Sequence, residues 1–102
     1  MQDLDFVYSV GLWTARPGKE EMFKKSWEDF ADWSKRNIPG AITALLLQDK
    51  DDPRKFLTVG PWKDDASVQK WRASPEFKAF VGRVKELCDE FRPMTFKAVV
   101  SI

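Results

Sequence analysis

The sequence predicts one α+β domain in which helices cover one face of a four-stranded antiparallel sheet. Two observations support this prediction. The chain has 102 residues, which is the size of one domain. Segments with the two-residue alternation of strands are interleaved with segments whose apolar residues recur at helical spacing. No repeat, linker or low-complexity stretch divides the chain, so we expect a single domain over residues 1–102.

The first predicted strand and the first predicted helix are separated by a turn. The strand covers Leu4–Trp13, and its alternation places Tyr8 on one face and Trp13 on the other. Pro17 is expected in the first turn of a helix over Lys19–Lys35. That helix is predicted by an apolar stripe at spacings of three and four residues: Phe23, Trp27, Phe30, Ala31 and Ser34.

A hairpin and a short helix are predicted next. The strands Ala41–Gln48 and Lys55–Pro61 are joined by the turn-rich, charged residues 49–54, which predicts antiparallel pairing. A short helix is expected over Asp64–Ala73, with an aspartate near its N-cap. Ser74-Pro75 then has the residue types that favour the N-cap and first position of another helix.

The last helix and the last strand complete the prediction. We expect the helix to run to about Phe91, with the apolar stripe Phe77, Val81, Val84, Cys88 and Phe91. The final strand is predicted over Met94–Ile102 from its alternation. The order is therefore β-α-β-β-α-α-β, which with right-handed crossovers gives a ferredoxin-like split βαβ sandwich.

The second predicted strand is apolar on both faces, which is typical of a strand buried on both sides. Helices in this arrangement cover only one face of the sheet. We therefore expect a second copy of the chain to cover the other face, sheet against sheet, giving a homodimer.

Composition argues against several classes of function. Lys+Arg number 17 and Asp+Glu 16, with the signs mixed along the chain, so no basic stripe indicates nucleic-acid binding. Residues 55–60 also lack the basic-Gly-aromatic-Gly-aromatic signature of RNA-recognition motifs. The longest apolar stretch, Ala41–Leu47, is too short to span a membrane. A single cysteine, Cys88, and the lack of a signal-peptide pattern in residues 1–15 predict a cytoplasmic protein.

No metal or cofactor is expected. The chain contains no histidine. Adjacent side chains diverge on both strands and helices, so the pairs Asp51-Asp52 and Asp64-Asp65 do not form a metal cage. Neither a phosphate-binding loop nor a dinucleotide fingerprint occurs in the sequence.

Motifs along nearly the whole chain are similar to one known family. In Leu57–Asp64 a strand ends in a tryptophan, and Trp71–Phe77 continues with a second aromatic residue and a Ser-x-x-Phe restart of the helix. The stretches Leu12–Thr14, 17–21 and Pro39-Gly40 fit the first strand, the helix entry and the approach to the second strand. In these features the chain resembles the antibiotic-biosynthesis-monooxygenase family.

The resemblance implies a ferredoxin-like dimer with a pocket in each subunit between helices and sheet. Some members oxygenate polycyclic aromatic substrates without metal or flavin, because the substrate phenolate supplies electrons to O₂. Others degrade haem with a histidine ligand. Val81 occupies the position that matches this histidine, and the chain has no histidine, so haem degradation is not expected. Trp71 matches the pocket tryptophan of the family.

Several residues are candidates for a site. Trp62 and Trp71 have flat faces that suit stacking on an aromatic ligand, although core packing also explains them. The Tyr8 hydroxyl is a candidate hydrogen-bonding or acid-base group, with a backbone-bonded core tyrosine as the alternative. Arg72 is a candidate for stabilising a phenolate or a reduced-oxygen anion, with a surface arginine as the alternative. The catalytic candidates are Tyr8, Trp71 and Arg72. The predicted substrate-binding residues are Tyr8, Trp62, Trp71, Phe77 and Val81.

Two functions fit the sequence. The first is a cofactor-independent, monooxygenase-like enzyme acting on a small aromatic or quinone-like molecule. The alternative is a non-catalytic dimeric module that binds a small ligand or only assembles. An open cavity with an inward polar group favours the first function, and a filled or purely apolar interior favours the second.

Overall fold

Residues 6–102, the part of the chain that the computed structural model describes, form four strands and three helices in the predicted order. The strands pair in the order β2-β3-β1-β4, and every pairing is antiparallel. This is the predicted ferredoxin-like α+β fold. The elements are β1 Val7–Ala15, α1 Glu20–Asn37, β2 Leu45–Gln48, β3 Lys55–Trp62, α2 Asp65–Ala73, α3 Pro75–Leu87 and β4 Cys88–Lys97.

The predicted caps of α2 and α3 are confirmed. The carboxylate of Asp64 accepts a hydrogen bond from the backbone N–H of Ser67, at 2.8 Å. The hydroxyl of Ser74 accepts one from the backbone N–H of Phe77, at 3.1 Å, and Pro75 is the first residue of α3. These side chains satisfy N–H groups that have no partner inside the first turn of a helix.

The predicted position of Pro17 in the first turn of α1 is wrong. Helix α1 begins at Glu20, and Pro17 lies in the preceding turn, which the backbone N–H of Lys19 closes on the carbonyl of Arg16. Gly18 has φ +81°, which is the conformation that a type II turn requires after a proline. Residues 16–19 therefore form a turn and not a helix entry.

The predicted end of the last helix at about Phe91 is also wrong. Helix α3 ends at Leu87, and Cys88 already belongs to β4. Pairing with β1 explains the change, because it lets Phe91 stack on Trp13 with ring centroids 4.1 Å apart. Pro93 disfavours a longer helix and is tolerated in β4, which lies at the edge of the sheet.

The outer strands differ from their predicted bounds. The last residue of β4 to pair is Lys97, so residues 98–102, predicted as strand, lie outside it. Strand β1 extends to Ala15, two residues beyond the prediction, while Leu4 lies outside the described residues. Strand β2 begins only at Leu45.

A bulge accounts for the late start of β2. An isolated bridge joins Ala41 to Trp62 and regular pairing resumes between Leu45 and Val59, so three residues face two. A Cβ atom on Gly60 would lie only 2.5 Å from the carbonyl oxygen of Thr43. Glycine at this position allows the bulged segment to cross the core face of β3.

The two faces of the sheet have different environments. On the helix-covered face, Trp13 and Phe56 pack against Phe23 of α1 and Phe80 of α3, which are almost fully buried. On the other face nothing within residues 6–102 covers a continuous apolar surface, here called the helix-free face. Its residues are Tyr8, Val10, Leu12, Leu45, Leu47, Leu57, Val59, Pro61, Met94 and Phe96. Among the described residues, no helix is long and apolar enough to cross a membrane.

Candidate functional site

A cavity of about 220 Å³ lies between the helices and the covered face of the sheet. Its floor is made of small residues of β1 and β3: Ser9, Gly11, Thr58 and Gly60. Its walls are mainly aromatic: Trp13, Trp27, Phe30, Trp62, Trp71, Phe77, Phe80 and Phe91. An apolar protein cavity of about 150 Å³ holds a benzene molecule. This cavity therefore has room for a planar molecule larger than a single ring.

Glycine keeps the floor of the cavity open. A Cβ atom on Gly11 would lie 2.7 Å from both Trp13 Nε1 and Thr58 Oγ1. The indole of Trp13 thus lies across the strand position two residues before it. A glycine inside a strand is typical of such a close approach.

Each of three cavity tryptophans donates its indole N–H to a hydroxyl group. Trp71 Nε1 donates to Ser34 Oγ at 2.9 Å, and this hydroxyl donates in turn to the Phe30 carbonyl at 2.7 Å. The other two bonds are Trp62 to Ser9 at 2.9 Å and Trp13 to Thr58 at 3.1 Å. These bonds fix the orientation of the rings and satisfy their only polar group.

Two hydroxyl groups on the floor retain an unused donor. Ser9 and Thr58 line the cavity and accept the indole bonds. Neither hydroxyl donates to another protein atom in the hydrogen bonds of residues 6–102. Since a hydroxyl is both acceptor and donor, each has an O–H available for a bound molecule.

Arg72 is the cationic side chain of the cavity wall that is tied to the sheet. Its guanidinium donates to the Thr95 hydroxyl at 2.6 Å and to the Met94 carbonyl at 2.7 Å, joining α2 to β4. Its Nε is covered by protein and has no hydrogen-bond partner among the described residues. Burial lowers the pKa of the Arg72 guanidinium, and the negative charge of Asp65 offsets this only in part.

The cavity opens between α1 and the bulged segment before β2. The exposed lining residues on the helix are Glu28, Asp32 and Lys35, and those on the segment are Thr43 and Ala44. The Asp32 carboxylate is already paired with Arg36 of the next helical turn, at 3.0 Å. Charged groups therefore stand at the opening, while the interior is aromatic.

The predicted site residues separate into two groups. Trp62, Trp71, Phe77 and Arg72 line the cavity. Tyr8 does not, because it lies on the helix-free face opposite Pro61 and Phe96. Val81, half-buried on α3, is also not part of the cavity lining.

Sequence reasoning missed the floor of the cavity. Ser9 shares the Trp13 face of the first strand in the predicted alternation, but it is not among the predicted site residues. Gly11 and Gly60 inside strands were the available signal, because such glycines mark places where another group approaches closely. Trp27 and Phe30, two members of the apolar stripe predicted for the first helix, also form part of the wall.

Cys88 and the acidic residues provide no second site. Burial raises the pKa of the Cys88 thiol to about 11, so the group stays protonated at neutral pH. Among residues 6–102, no group of three His, Cys, Asp or Glu side chains is placed to hold a metal ion.

The family of the chain follows from its sequence. Residues 6–83 match the family model described as antibiotic biosynthesis monooxygenase. The match covers well over half of the chain, and the chain belongs to this family. No curated protein was found to match the sequence.

Solved structures share this fold closely. SnoaB, a cofactor-independent oxygenase from Streptomyces nogalater, matches with a TM-score of 0.86 at 21% identity, covering 96% of this chain and 97% of that one. A conserved protein from Methanosarcina mazei Go1 gives 0.86 at 19% identity, covering 96% and 97%. A protein from Shewanella oneidensis gives 0.85 at 20% identity, covering 96% and 95%. At these identities the likeness establishes the fold and not the activity.

Proposed function

We propose that the protein is a cofactor-independent monooxygenase acting on a small planar aromatic hydroxyl compound or a related quinone-like molecule. The observation that carries this proposal is the cavity itself, with aromatic walls and two free hydroxyl donors on its floor. Flat rings suit stacking on a flat substrate, and the donors suit its oxygen atoms. The fold shared with SnoaB, an oxygenase that needs no cofactor, supports the same class of reaction.

The proposed reaction converts a phenol into a quinone with O₂ as the oxidant. The phenolate transfers an electron to O₂, and the two radicals combine into a peroxide through a new C–O bond. Loss of the ring C–H proton and cleavage of the O–O bond then leave the second carbonyl and release water. One oxygen atom enters the product and the other becomes water, so four electrons pass from substrate to O₂.

The protein's part in this reaction is to position the substrate and exclude water. Trp71 is held by Ser34 and packs at 4.8 Å from both Trp62 and Phe77, measured between ring centroids. These contacts hold Trp71 in one orientation, so its ring is a fixed part of the wall against which a flat substrate would pack. The Ser9 and Thr58 hydroxyls act as donors to oxygen atoms that gain charge during the reaction.

The helix-free face supports a homodimer as the working unit. An apolar surface of this extent is costly in water and is typical of an association face. A hollow of about 470 Å³ adjoins it, lined by the apolar Leu12, Leu47 and Leu57 and by polar and charged residues: Thr14, Gln48, Asp49, Lys55, Glu90 and Arg92. Side chains of a second copy would fill this hollow, sheet against sheet. A cytoplasmic location is proposed with it, since Cys88 is a free thiol.

One observation favours the alternative, a module that binds a ligand without turnover. The chain has no histidine, and the carboxylates that line the cavity, Glu28 and Asp32, stand at its opening. Among residues 6–102, therefore, no carboxylate or imidazole base lies deep in the cavity. Binding and turnover must be measured separately to decide between the two functions.

The test is oxygen uptake with hydroxylated naphthalenes, recorded beside quinone absorbance. The expected result is one O₂ consumed per quinone formed, at a rate that depends on the protein. Ala31→Phe places a ring in the cavity, and we expect at least about a tenfold loss of both binding and uptake. The matched control is Ala79→Phe on the exposed side of α3, which is not part of the lining and should retain both.

The outcomes separate the candidates. Uptake that equals the rate without protein, together with binding that Ala31→Phe abolishes, would establish the ligand-binding module. Failure of every hydroxylated naphthalene to bind the unmodified protein would overturn both functions.

A further inference from the structure

The guanidinium of Arg72 forms no ion pair with any carboxylate of residues 6–102; Asp65 acts on it without forming one. None of the ion pairs among residues 6–102 includes Arg72, although six other lysine and arginine residues pair with nearby carboxylates on the surface. Half-buried charged groups in proteins are normally paired, because removal of a charge from water is costly. An unpaired guanidinium in the wall of an aromatic cavity is therefore an anomaly that a bound anion would resolve.

The guanidinium is also held in a fixed position. Two of its bonds, to Thr95 Oγ1 and to the Met94 carbonyl, come from a paired strand and set the plane of the group. Both partners are neutral, so they orient Arg72 without neutralising it. A guanidinium has five N–H donors, so Nη1 and Nη2 each keep one N–H after these two bonds, whereas Nε is covered by protein.

The surroundings favour an anion on a flat ring and not a free inorganic ion. Arg72 follows Trp71 directly in α2, and Phe91 and Pro93 line the same cavity from β4. A flat ring bound against these walls would lie in the same cavity as the guanidinium and could direct a substituent toward it. The hydroxyl donors of Ser9 and Thr58 on the floor add a second point of contact for a ring oxygen.

We propose that Arg72 binds the ionised oxygen of a planar aromatic hydroxyl compound, so that the cavity selects the phenolate over the neutral phenol. This inference rests on the proposed function, because it assigns the ligand to the same cavity. It also explains how a phenol could ionise in a cavity whose interior has no protein base among residues 6–102. A phenol whose pKa is lowered on binding ionises at neutral pH without a protein base, and its proton passes to water at the opening. Arg72 is a positioning and charge-stabilising residue for that anion.

Binding of the ionised oxygen by Arg72 also defines the class of substrate. An acidic phenol, such as a hydroxyquinone or a phenol with a carbonyl or nitro group on the same ring system, is favoured over a simple naphthol. The ligand enters, or becomes, an anion before it meets O₂. Neutral polycyclic hydrocarbons of the same size are expected to bind without any help from Arg72.

The test uses two chromophoric probes, 4-nitro-1-naphthol and 1-nitronaphthalene, and measures binding only. The ionised and neutral forms of the first probe absorb at different wavelengths, so its pKa can be titrated in the bound state. We expect the bound pKa to lie at least about one unit below the free value, which corresponds to tenfold tighter binding of the anion. Arg72→Met should abolish this shift. Arg72→Lys should restore part of it, because lysine keeps the positive charge but not the planar arrangement of several N–H donors.

Controls keep the result specific. Arg83→Met removes an exposed arginine of α3 that is not part of the cavity lining, and it should leave the bound pKa unchanged. Affinity for 1-nitronaphthalene reports the integrity of the cavity, and it should be equal in Arg72→Met and the unmodified protein. If Arg72→Met no longer binds 1-nitronaphthalene, its cavity is altered and Arg72→Lys becomes the test. A lowered pKa of the naphthol bound to Arg72→Lys would then support the role of Arg72, and an unchanged pKa would overturn it.

The outcomes distinguish this inference from the proposed function. Tight binding of both probes with no shift in the naphthol pKa would overturn the role of Arg72 and leave the cavity as a ligand site. Failure of both probes to bind would overturn the two proposals together. A shift in pKa without any oxygen uptake would support Arg72 and count against the oxygenase.

Discussion

Trp13 of β1 and Phe91 of β4 stack face to face, with ring centroids 4.1 Å apart and planes inclined by 16°. The pair joins adjacent strands and forms one wall of the cavity. It therefore links the stability of the sheet edge to the shape of the site. Aromatic pairs of this geometry contribute about 0.5–1.5 kcal/mol beyond the area that they bury.

Removal of this pair tests how strongly it stabilises the fold. We expect Phe91→Ala to lower the free energy of unfolding by about 2 kcal/mol, less than for a fully buried phenylalanine because Phe91 is half-buried. Urea unfolding followed by fluorescence measures the change. Met22→Ala on the exposed side of α1 is the control, with an expected change below about 0.5 kcal/mol. Equal effects of the two substitutions would contradict the role given to the stack.

Two glycines are expected to respond to the same substitution with opposite signs. Gly11→Ala places a Cβ atom 2.7 Å from Trp13 Nε1 and Thr58 Oγ1, so it should destabilise by about 1–3 kcal/mol. Gly82→Ala on α3 meets no atom within 4 Å and should stabilise by about 0.5–1 kcal/mol, because alanine favours the helix. The shift in the thermal unfolding midpoint of each variant gives the sign of its stability change. A Gly11→Ala variant as stable as the unmodified protein would contradict the close contacts described at Gly11.

The Ser34 hydroxyl is expected to matter for ligand binding as well as for stability. Ser34→Ala leaves the Trp71 N–H without its acceptor, which should cost about 1–2 kcal/mol and loosen the ring. Affinity for 1-nitronaphthalene should therefore fall. Ser26→Ala, on the same helix but outside the cavity lining, serves as the matched substitution. A loss of stability with unchanged affinity would show that Trp71 does not contact the ligand.

The proposed dimer can be disrupted from the centre of the helix-free face. Leu57→Lys places a charge between Leu12 and Leu47, its partners on the neighbouring strands, and should produce a monomer. Light scattering after size-exclusion chromatography measures the mass. Met22→Lys makes the same kind of change on α1 and should leave the mass unaltered. A monomeric unmodified protein would rule out the dimer at once.

The Cys88 thiol predicts a loss of stability at alkaline pH. The folded protein retains the thiol proton up to about pH 11, whereas the unfolded chain loses it near the ordinary pKa of 9.0. The unfolded state then binds fewer protons, so the free energy of unfolding falls through this range by about 1.4 kcal/mol per pH unit. Between about pH 8 and pH 10.5, the unmodified protein should lose about 2 kcal/mol more than Cys88→Ala. If the free energy of unfolding changes with pH in the same way in both proteins, the Cys88 thiol is not buried in its protonated form.

The element order was predictable because most elements carry local signals. The N-caps Asp64 and Ser74 act through hydrogen bonds within three residues, so their effect is visible in the sequence. The border between α3 and β4 has no such signal. Its position depends on pairing with β1, more than 70 residues earlier in the chain, which no local pattern records.

The site was predictable only in part, for a related reason. Trp62, Trp71 and Phe77 could be chosen because large rings form pockets or cores in any case. Tyr8 was a candidate because a tyrosine hydroxyl requires a partner, but alternation alone does not tell which face of a sheet the helices cover. The free donors of Ser9 and Thr58 depend on indole bonds between strands, which emerge only from the folded arrangement.

The crowding of tryptophan around the cavity also has a spectroscopic consequence. Four of the five tryptophans of the chain, Trp13, Trp27, Trp62 and Trp71, line this one space. Intrinsic emission of the protein is therefore dominated by indoles within reach of a bound ring. Energy transfer to a nitroaromatic or quinone ligand would quench most of that emission, so the unlabelled protein reports its own occupancy in a simple titration.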